Sequence, residues 1–160
     1  MKDKKNYWSE IVRKLNEKNL TIATMESCTG GGIAYEITNV SGASSVIKES
    51  YVTYCNEAKI KQGVSADVIA KYTVYSPETA IEMAKAVKKQ AGSDIAVGVT
   101  GQLGRIDPNN PSQKLNCVWY AVISQNDEII VRRIKVPNGE RKSQKEIVIE
   151  EIAITILELI

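Results

Sequence analysis

The feature that most constrains the fold is a short strand pattern that stops at a glycine-rich turn and gives way to a helical pattern. Residues 20–26 have strand character, the run ESCTGGG occupies positions 26–32, and apolar residues recur with helical spacing from about Ile33. In this order a strand ends beside a helix N-terminus, where backbone N–H groups can face a ligand. Open α/β sheets carry their chemistry at such strand ends, so we expect the functional site here.

The absence of histidine among the 160 residues restricts the chemistry. It excludes a Ser-His-Asp or Cys-His mechanism and imidazole metal ligands, so a hydrolytic base has to come from Lys, Tyr, Asp or Glu. The three cysteines form no CxxC pair, which argues against a zinc site or a disulfide framework and favours a reducing cytoplasm. A net charge of +2 gives no reason to expect nucleic acid or a membrane as a partner. We expect neither a metal nor another cofactor.

The rest of the chain alternates between helical and strand patterns. Helices are predicted over 6–18, from an Asn56 cap to about 62, from Ser65, over 76–91 behind a Ser-Pro start signal, and over 144–160 behind a Ser143 cap. The isoleucines of the last segment would also suit a strand. Strands are predicted over 46–55, 94–99, 117–124 and 129–136, the last two as an antiparallel hairpin, with loops over 100–116 and 137–142. These patterns predict a single three-layer α/β/α domain over residues 1–160, with a mixed sheet of about five strands.

Ser27 is the first candidate nucleophile, and Cys28 is the alternative. The competing interpretation is a polar turn that only caps the next helix. Lys59 is the candidate base, because it follows the predicted Asn56 cap by three residues. There the positive end of the helix dipole and partial burial are both expected to favour the neutral amine that a serine nucleophile needs. Tyr54 is close to it in sequence and is a second candidate proton carrier.

Other residues are candidates for binding rather than bond making. Arg141 follows a glycine in a predicted loop and could clamp an anion, although a solvated loop arginine is the simpler interpretation. Thr100 follows a buried strand and reaches the same sheet edge if that strand is parallel to the first. Backbone N–H groups around Thr29, Gly30 and Gly31 are expected to hold an oxyanion. A serine–lysine match at 45–48 lacks the partner motifs of β-lactamase-type enzymes, so we interpret it as the start of a strand.

Four short motifs resemble the CinA C-terminal domain family, and the resemblance extends over about residues 6–160. They are ESCTGG at 26–31, YCNEAK at 54–59, VYS at 74–76 and VGVTG at 97–101. The resemblance implies a compact α/β/α fold and hydrolysis of the carboxamide of nicotinamide mononucleotide to nicotinic acid mononucleotide and ammonia. It implies that Ser27 is the nucleophile, that Tyr54 and Lys59 assist it, and that Thr100 and Arg141 belong to the same site. Arg141 is expected to position the phosphate or the ribose of the substrate.

The loop after Thr100 departs from the family pattern of small residues and glycines. Positions 102–107 are QLGRID and positions 114–118 are KLNCV, so bulky and charged residues stand where the family has a flat loop. Two alternatives therefore stay open: a non-catalytic nucleotide-binding or interaction domain, and a hydrolase of another small amide. Nothing precedes Met1, so we expect the stand-alone form, and a homodimer stays open as its oligomeric state.

Overall fold

The structure is a computed structural model that describes residues 6–111 and 114–160. Its elements are α1 (Tyr7–Lys18), β1 (Ile22–Glu26), α2 (Gly32–Thr38), a 3₁₀ turn (Ala43–Ser45), β2 (Ile47–Val52), α3 (Asn56–Lys61), α4 (Ala66–Tyr72), α5 (Pro77–Ala91), β3 (Ile95–Gln102), β4 (Cys117–Ile123), β5 (Ile129–Lys135) and α6 (Arg141–Leu159). Among the described residues, no helix combines the length and apolar character needed to cross a membrane.

The five strands form one mixed sheet in the order β2-β1-β3-β4-β5. β1 runs parallel to both β2 and β3, whereas β4 is antiparallel to β3 and β5 is antiparallel to β4. Glu26, the last residue of β1, is opposite Val52 on one side and Val99 on the other. The carboxyl ends of β1, β2 and β3 therefore meet at one edge of the sheet, and the predicted mixed α/β sheet is confirmed.

Helices cover both faces of this sheet. α1, α2 and α6 pack on one face around a core that includes Ile11, Ile33 and Ile152, all fully buried. α5, with α4 beside it, covers the other face through residues such as Met83. The apolar residues of α1 and α6 explain why these helices pack on this face, because each helix has to bury its apolar side chains against another surface. The helix predicted at the end of the chain and the three-layer arrangement are confirmed.

A glycine in the central strand β3 lets α5 approach the sheet closely. A Cβ atom added to Gly98 would collide with the carbonyl oxygen of Ala80 and lie 2.5 Å from the backbone nitrogen of Ala84. Both atoms belong to helix backbone, which cannot move aside as a flexible side chain can. The small residues on both elements therefore set the distance between helix and sheet.

The cap residues at the helix N-termini can be compared with the predicted ones. Ser65 and Ser76 are confirmed as caps, since their hydroxyl groups accept from the N–H groups of Val68 and Thr79. The Asn56 cap is wrong: Cys55 holds the extended cap conformation and Asn56 is already the first helical residue.

The Ser143 cap is also wrong, because α6 begins earlier. Its cap residue is Glu140 and its first residue is Arg141, so this arginine belongs to a helix rather than to the predicted loop. β3 likewise continues past its predicted end at 99. Antiparallel pairing with β4 extends it through Thr100 and Gly101 to Gln102, which places Thr100 inside the strand.

Candidate active site

A cleft of about 630 Å³ lies at the sheet edge where β1, β2 and β3 end. This volume is within the range of pockets that bind small molecules. Its lining comes from the turn after β1, the start of α3, the segment before α5, the loop after β3 and the start of α6. The lining residues are Ser27, Cys28, Tyr54, Cys55, Asn56, Glu57, Lys59, Val74, Tyr75, Gly101, Gln102, Leu103, Arg105, Asp107, Pro108, Asn109, Asn110 and Arg141.

Ser27 and Lys59 meet in this cleft although 32 positions separate them in the chain. The Lys59 Nζ is 3.1 Å from the Ser27 Oγ and donates to the carbonyl oxygen of Thr53 at 2.6 Å. The lysine is 1% exposed, and no carboxylate of the described residues lies within ion-pair distance of its Nζ. A buried amine without a counter-ion is poorly stabilised in its charged form.

Burial lowers the pKa of Lys59 to about 8, while the neighbouring thiols of Cys28 and Cys55 oppose that change more weakly. Of the two expected causes of a neutral amine, burial is therefore the main one, whereas the expected effect of the helix end is corrected, since α3 has only six residues. With such a pKa, about a tenth of the amine is neutral at pH 7, against less than about a thousandth for a free lysine. The neutral amine can accept the Ser27 hydroxyl proton.

Cys28 is adjacent to Ser27 but has a different electrostatic environment. Burial raises the pKa of its thiol to about 12, and the positive charge of Arg141 offsets only part of that effect. The thiol therefore stays protonated at neutral pH, and the thiolate is the nucleophilic form of cysteine. This environment favours Ser27 over Cys28 as the nucleophile.

Tyr54 lines the cleft but connects to it through Arg141. The Nη2 of Arg141 donates to the Tyr54 hydroxyl at 2.6 Å, and its Nη1 donates to the carbonyl oxygen of Leu103. No hydrogen bond within the described ranges joins the Tyr54 hydroxyl to Ser27 or to Lys59. We expected these three side chains to converge within direct or one-water hydrogen-bond reach. The serine and the lysine are in direct contact, whereas the tyrosine hydroxyl is bonded to Arg141.

The carboxylate of Glu26 turns back into the N-terminus of α2, an arrangement that no sequence pattern predicted. It accepts from the Thr29 hydroxyl at 2.6 Å and from the N–H groups of Gly31, Ile33 and Ala34 at 3.0 to 3.1 Å. The side chain is fully buried. The helix N-terminus beside Ser27 is therefore already occupied by an anion of the chain itself.

This arrangement corrects the predicted oxyanion donors. The Gly31 N–H is bonded to Glu26 and the Gly30 N–H donates to the Ser27 carbonyl oxygen at 2.9 Å. Thr29, Gly30 and Gly31 do not line the cleft. Within the described ranges, no oxygen accepts from the N–H of Cys28, which is in the lining. That N–H is the candidate oxyanion donor that the structure offers instead.

Thr100 is not in the cleft lining either. It is fully buried within β3, and its hydroxyl donates to the carbonyl oxygen of Val74 at 2.9 Å. The expected contact with a substrate is not supported, because this side chain ties the segment before α5 to the sheet.

The loop after β3, whose departure from the family pattern left the substrate open, forms a wall of the cleft, although none of its residues was a predicted site residue. The Tyr75 hydroxyl donates to Asp107 Oδ2 at 2.8 Å, and the Asp107 N–H donates to Gln102 Oε1 at 2.7 Å. The VYS motif and the unusual run QLGRID were the available signals. In the described ranges, His, Cys, Asp and Glu side chains form no group of three that could hold a metal ion.

Comparisons with known proteins agree on one family. The model of the CinA C-terminal domain matches residues 4–159. A CinA-like protein of Kosmotoga olearia is 38% identical over 133 residues, which are 82% of this chain and 32% of that protein. The chain spans about a third of the length of the curated relatives it matches.

Solved structures show the same fold. A competence/damage inducible protein from Agrobacterium tumefaciens has a TM-score of 0.85 at 25% identity, and the match covers 96% of this chain and 95% of that one. A CinA superfamily protein from Escherichia coli has a TM-score of 0.90 at 23% identity, with 97% and 89% covered. The chain belongs to the CinA C-terminal domain family.

Proposed function

We propose that this chain hydrolyses the carboxamide of nicotinamide mononucleotide to nicotinic acid mononucleotide and ammonia, with Ser27 as nucleophile and Lys59 as base. The observation that carries the proposal is the 3.1 Å contact between Lys59 Nζ and Ser27 Oγ, made by a lysine whose pKa is about 8. A serine requires a base within hydrogen-bond reach, and a chain without histidine has to use another residue.

The contacts of Lys59 support a two-step acyl transfer. One amine N–H stays on the carbonyl oxygen of Thr53, so the lone pair of the neutral amine is directed by that bond while it accepts the Ser27 proton. The Ser27 oxygen then bonds to the carboxamide carbon, and the developing oxyanion is close to the N–H of Cys28.

The second step returns the enzyme to its starting state. The bond from carbon to nitrogen breaks as Lys59 gives its proton to the departing ammonia, which leaves an ester on Ser27. Water then attacks that ester, Lys59 takes one proton from the water, and the serine hydroxyl is restored. One carboxamide and one water give one carboxylic acid and one ammonia.

The test is release of ammonia and nicotinic acid mononucleotide from nicotinamide mononucleotide by the purified protein. We expect Ser27→Ala and Lys59→Ala each to lower kcat at least ~10²-fold, and the control Cys28→Ala to retain most activity. An inactive Cys28→Ala protein beside an active Ser27→Ala protein would assign the nucleophile to the cysteine.

Two other outcomes separate the alternatives that remain open. A parent protein that binds the nucleotide without releasing ammonia supports a non-catalytic binding domain. A parent that ignores this nucleotide but hydrolyses another small amide through Ser27 keeps the chemistry and changes the substrate.

A further inference from the structure

Two guanidinium groups line the cleft from segments that touch each other. Arg141 at the start of α6 donates to the carbonyl oxygen of Leu103. A Cβ atom added to Gly104 would lie 3.7 Å from the Arg141 Nη1. Arg105 is the next residue of this loop and also lines the cleft. The two positive charges therefore belong to one side of the cleft.

The two arginines differ in their bonding. Arg141 uses one nitrogen on Leu103 and the other on the Tyr54 hydroxyl. In the described ranges, no oxygen accepts a hydrogen bond from the Arg105 guanidinium and no carboxylate lies within 4 Å of it. Arg105 is exposed and lines the cleft, and its guanidinium donors are not engaged by another group of the described residues.

The acid closest to Arg105 in the loop is already satisfied. Asp107 accepts from the Tyr75 hydroxyl at 2.8 Å, from Asn110 Nδ2 at 2.9 Å and from the Asn109 N–H at 2.9 Å. These bonds, together with the charge of Arg105, hold the pKa of the Asp107 carboxyl below its usual range. The carboxylate is thus engaged with the loop rather than paired with the arginine.

The loop that carries Arg105 is fixed at both sides of that residue. The Gly104 N–H donates to Asn116 Oδ1 at 3.0 Å, and the Asp107 N–H donates to Gln102 Oε1 at 2.7 Å. Gly104 has a φ of +82°, a conformation that glycine adopts without strain. The backbone beside the free guanidinium is therefore held in place before a ligand binds.

The two arginines act on different groups of the cleft. After the larger effect of burial, Arg141 is the main electrostatic influence on the Cys28 thiol, next to Ser27. Arg105 acts instead on Asp107, in the loop wall. Arg141 is bonded to the Tyr54 hydroxyl and acts on the residue next to the nucleophile, whereas Arg105 belongs to the loop wall that holds Asp107.

We propose that Arg105 binds the phosphate of the mononucleotide substrate and so selects phosphorylated over unphosphorylated nucleosides. This inference rests on the proposed function, in which the carboxamide lies at Ser27 and the phosphate is at the opposite end of the substrate. A planar guanidinium can donate two parallel hydrogen bonds to a phosphate, which a lysine cannot reproduce.

The test measures binding in the Ser27→Ala protein, which keeps nicotinamide mononucleotide intact during a calorimetric titration. We expect Arg105→Ala in this background to raise the Kd for the mononucleotide about tenfold or more. The Kd for nicotinamide riboside, which lacks the phosphate, stays within about twofold. Arg105→Lys gives an intermediate Kd. The control Arg13→Ala removes an equal charge from α1, outside the cleft, and leaves both Kd values unchanged.

Three results would overturn the inference: an unchanged Kd for the mononucleotide in Arg105→Ala, an equal loss for both ligands, or no binding of the mononucleotide at all. Ammonia release by the parent protein reports separately on the proposed function. If the parent releases no ammonia while Arg105 still discriminates between the two ligands, the proposed function fails and the phosphate site stands. If it releases ammonia and Arg105→Ala is without effect, only the phosphate site fails.

Discussion

Replacing Lys59 with methionine removes a buried amine while keeping a long, flexible side chain in its place. The lysine is almost completely buried and its pKa is about 8 in the folded protein, against 10.5 for an ordinary lysine. Below pH 8 both the folded and the unfolded chain carry the proton, so the folded state bears the full cost of burying a charge. Between pH 8 and 10.5 the unfolded chain binds more protons, and the free energy of unfolding therefore rises with pH.

The size of this rise follows from the two pKa values. At 1.36 kcal/mol per pH unit, the interval between about 8 and 10.5 corresponds to about 3 kcal/mol. The Lys59→Met variant has no titrating group at position 59, so its free energy of unfolding lacks this dependence on pH. We expect the free energy of unfolding of the parent protein, relative to that of Lys59→Met, to increase by about 3 kcal/mol from pH 7 to pH 10.5.

Urea denaturation of both proteins across this pH range measures the difference directly. Other titrating groups are present in both proteins, so their contributions cancel in the comparison, and a reductant keeps the cysteines as thiols. Loss of the bonds to Thr53 and Ser27 shifts the variant by an amount that does not depend on pH. A difference that stays constant from pH 7 to 10.5 would refute the argument, because Lys59 would then titrate alike in both states.

Three further substitutions test other parts of the structure. Gly98→Ala should lower the free energy of unfolding by at least about 2 kcal/mol in urea titrations, because its Cβ meets helix backbone, whereas Gly139→Ala meets nothing within 4 Å and should be neutral. Glu26→Gln should cost about 2–4 kcal/mol by the same assay, because an amide N–H₂ then faces N–H donors, whereas the exposed Glu150→Gln should change little. Equal effects within either pair would contradict these explanations. Tyr54→Phe removes only the hydroxyl that accepts from the α6 arginine, so kcat/KM should fall less than in Lys59→Ala; an equal fall would support this tyrosine as a direct proton carrier.

Local patterns predicted the position of the cleft because they depend on neighbouring residues only. The strand before Ser27, the turn and the helix after it are all signalled within positions 20–40. The YCNEAK motif follows β2 after only a few residues of sequence, so Lys59 also lies at the edge where the parallel strands end. Apolar spacing predicted the strands and most of the helices for the same reason.

Contacts between distant segments could not be predicted in this way. The bond from Arg141 to Tyr54 spans 87 positions, and it depends on α6 starting two residues before its predicted cap at Ser143. The occupation of the α2 N-terminus by Glu26 depends on a rotamer that composition does not reveal. β3 runs past Val99 because β4 supplies a pairing partner. The single-domain organisation, the homodimer and the cytoplasmic location stay predictions.

The pH dependence of kcat/KM for nicotinamide mononucleotide tests the central claim, that a buried neutral lysine activates Ser27. Activity requires the unprotonated amine of Lys59, so kcat/KM should rise tenfold per pH unit on the acid side and level off above a pKa of about 8. A profile that is flat from pH 6 to 10, or one that rises only near the ~10.4 of a free lysine, would contradict the account.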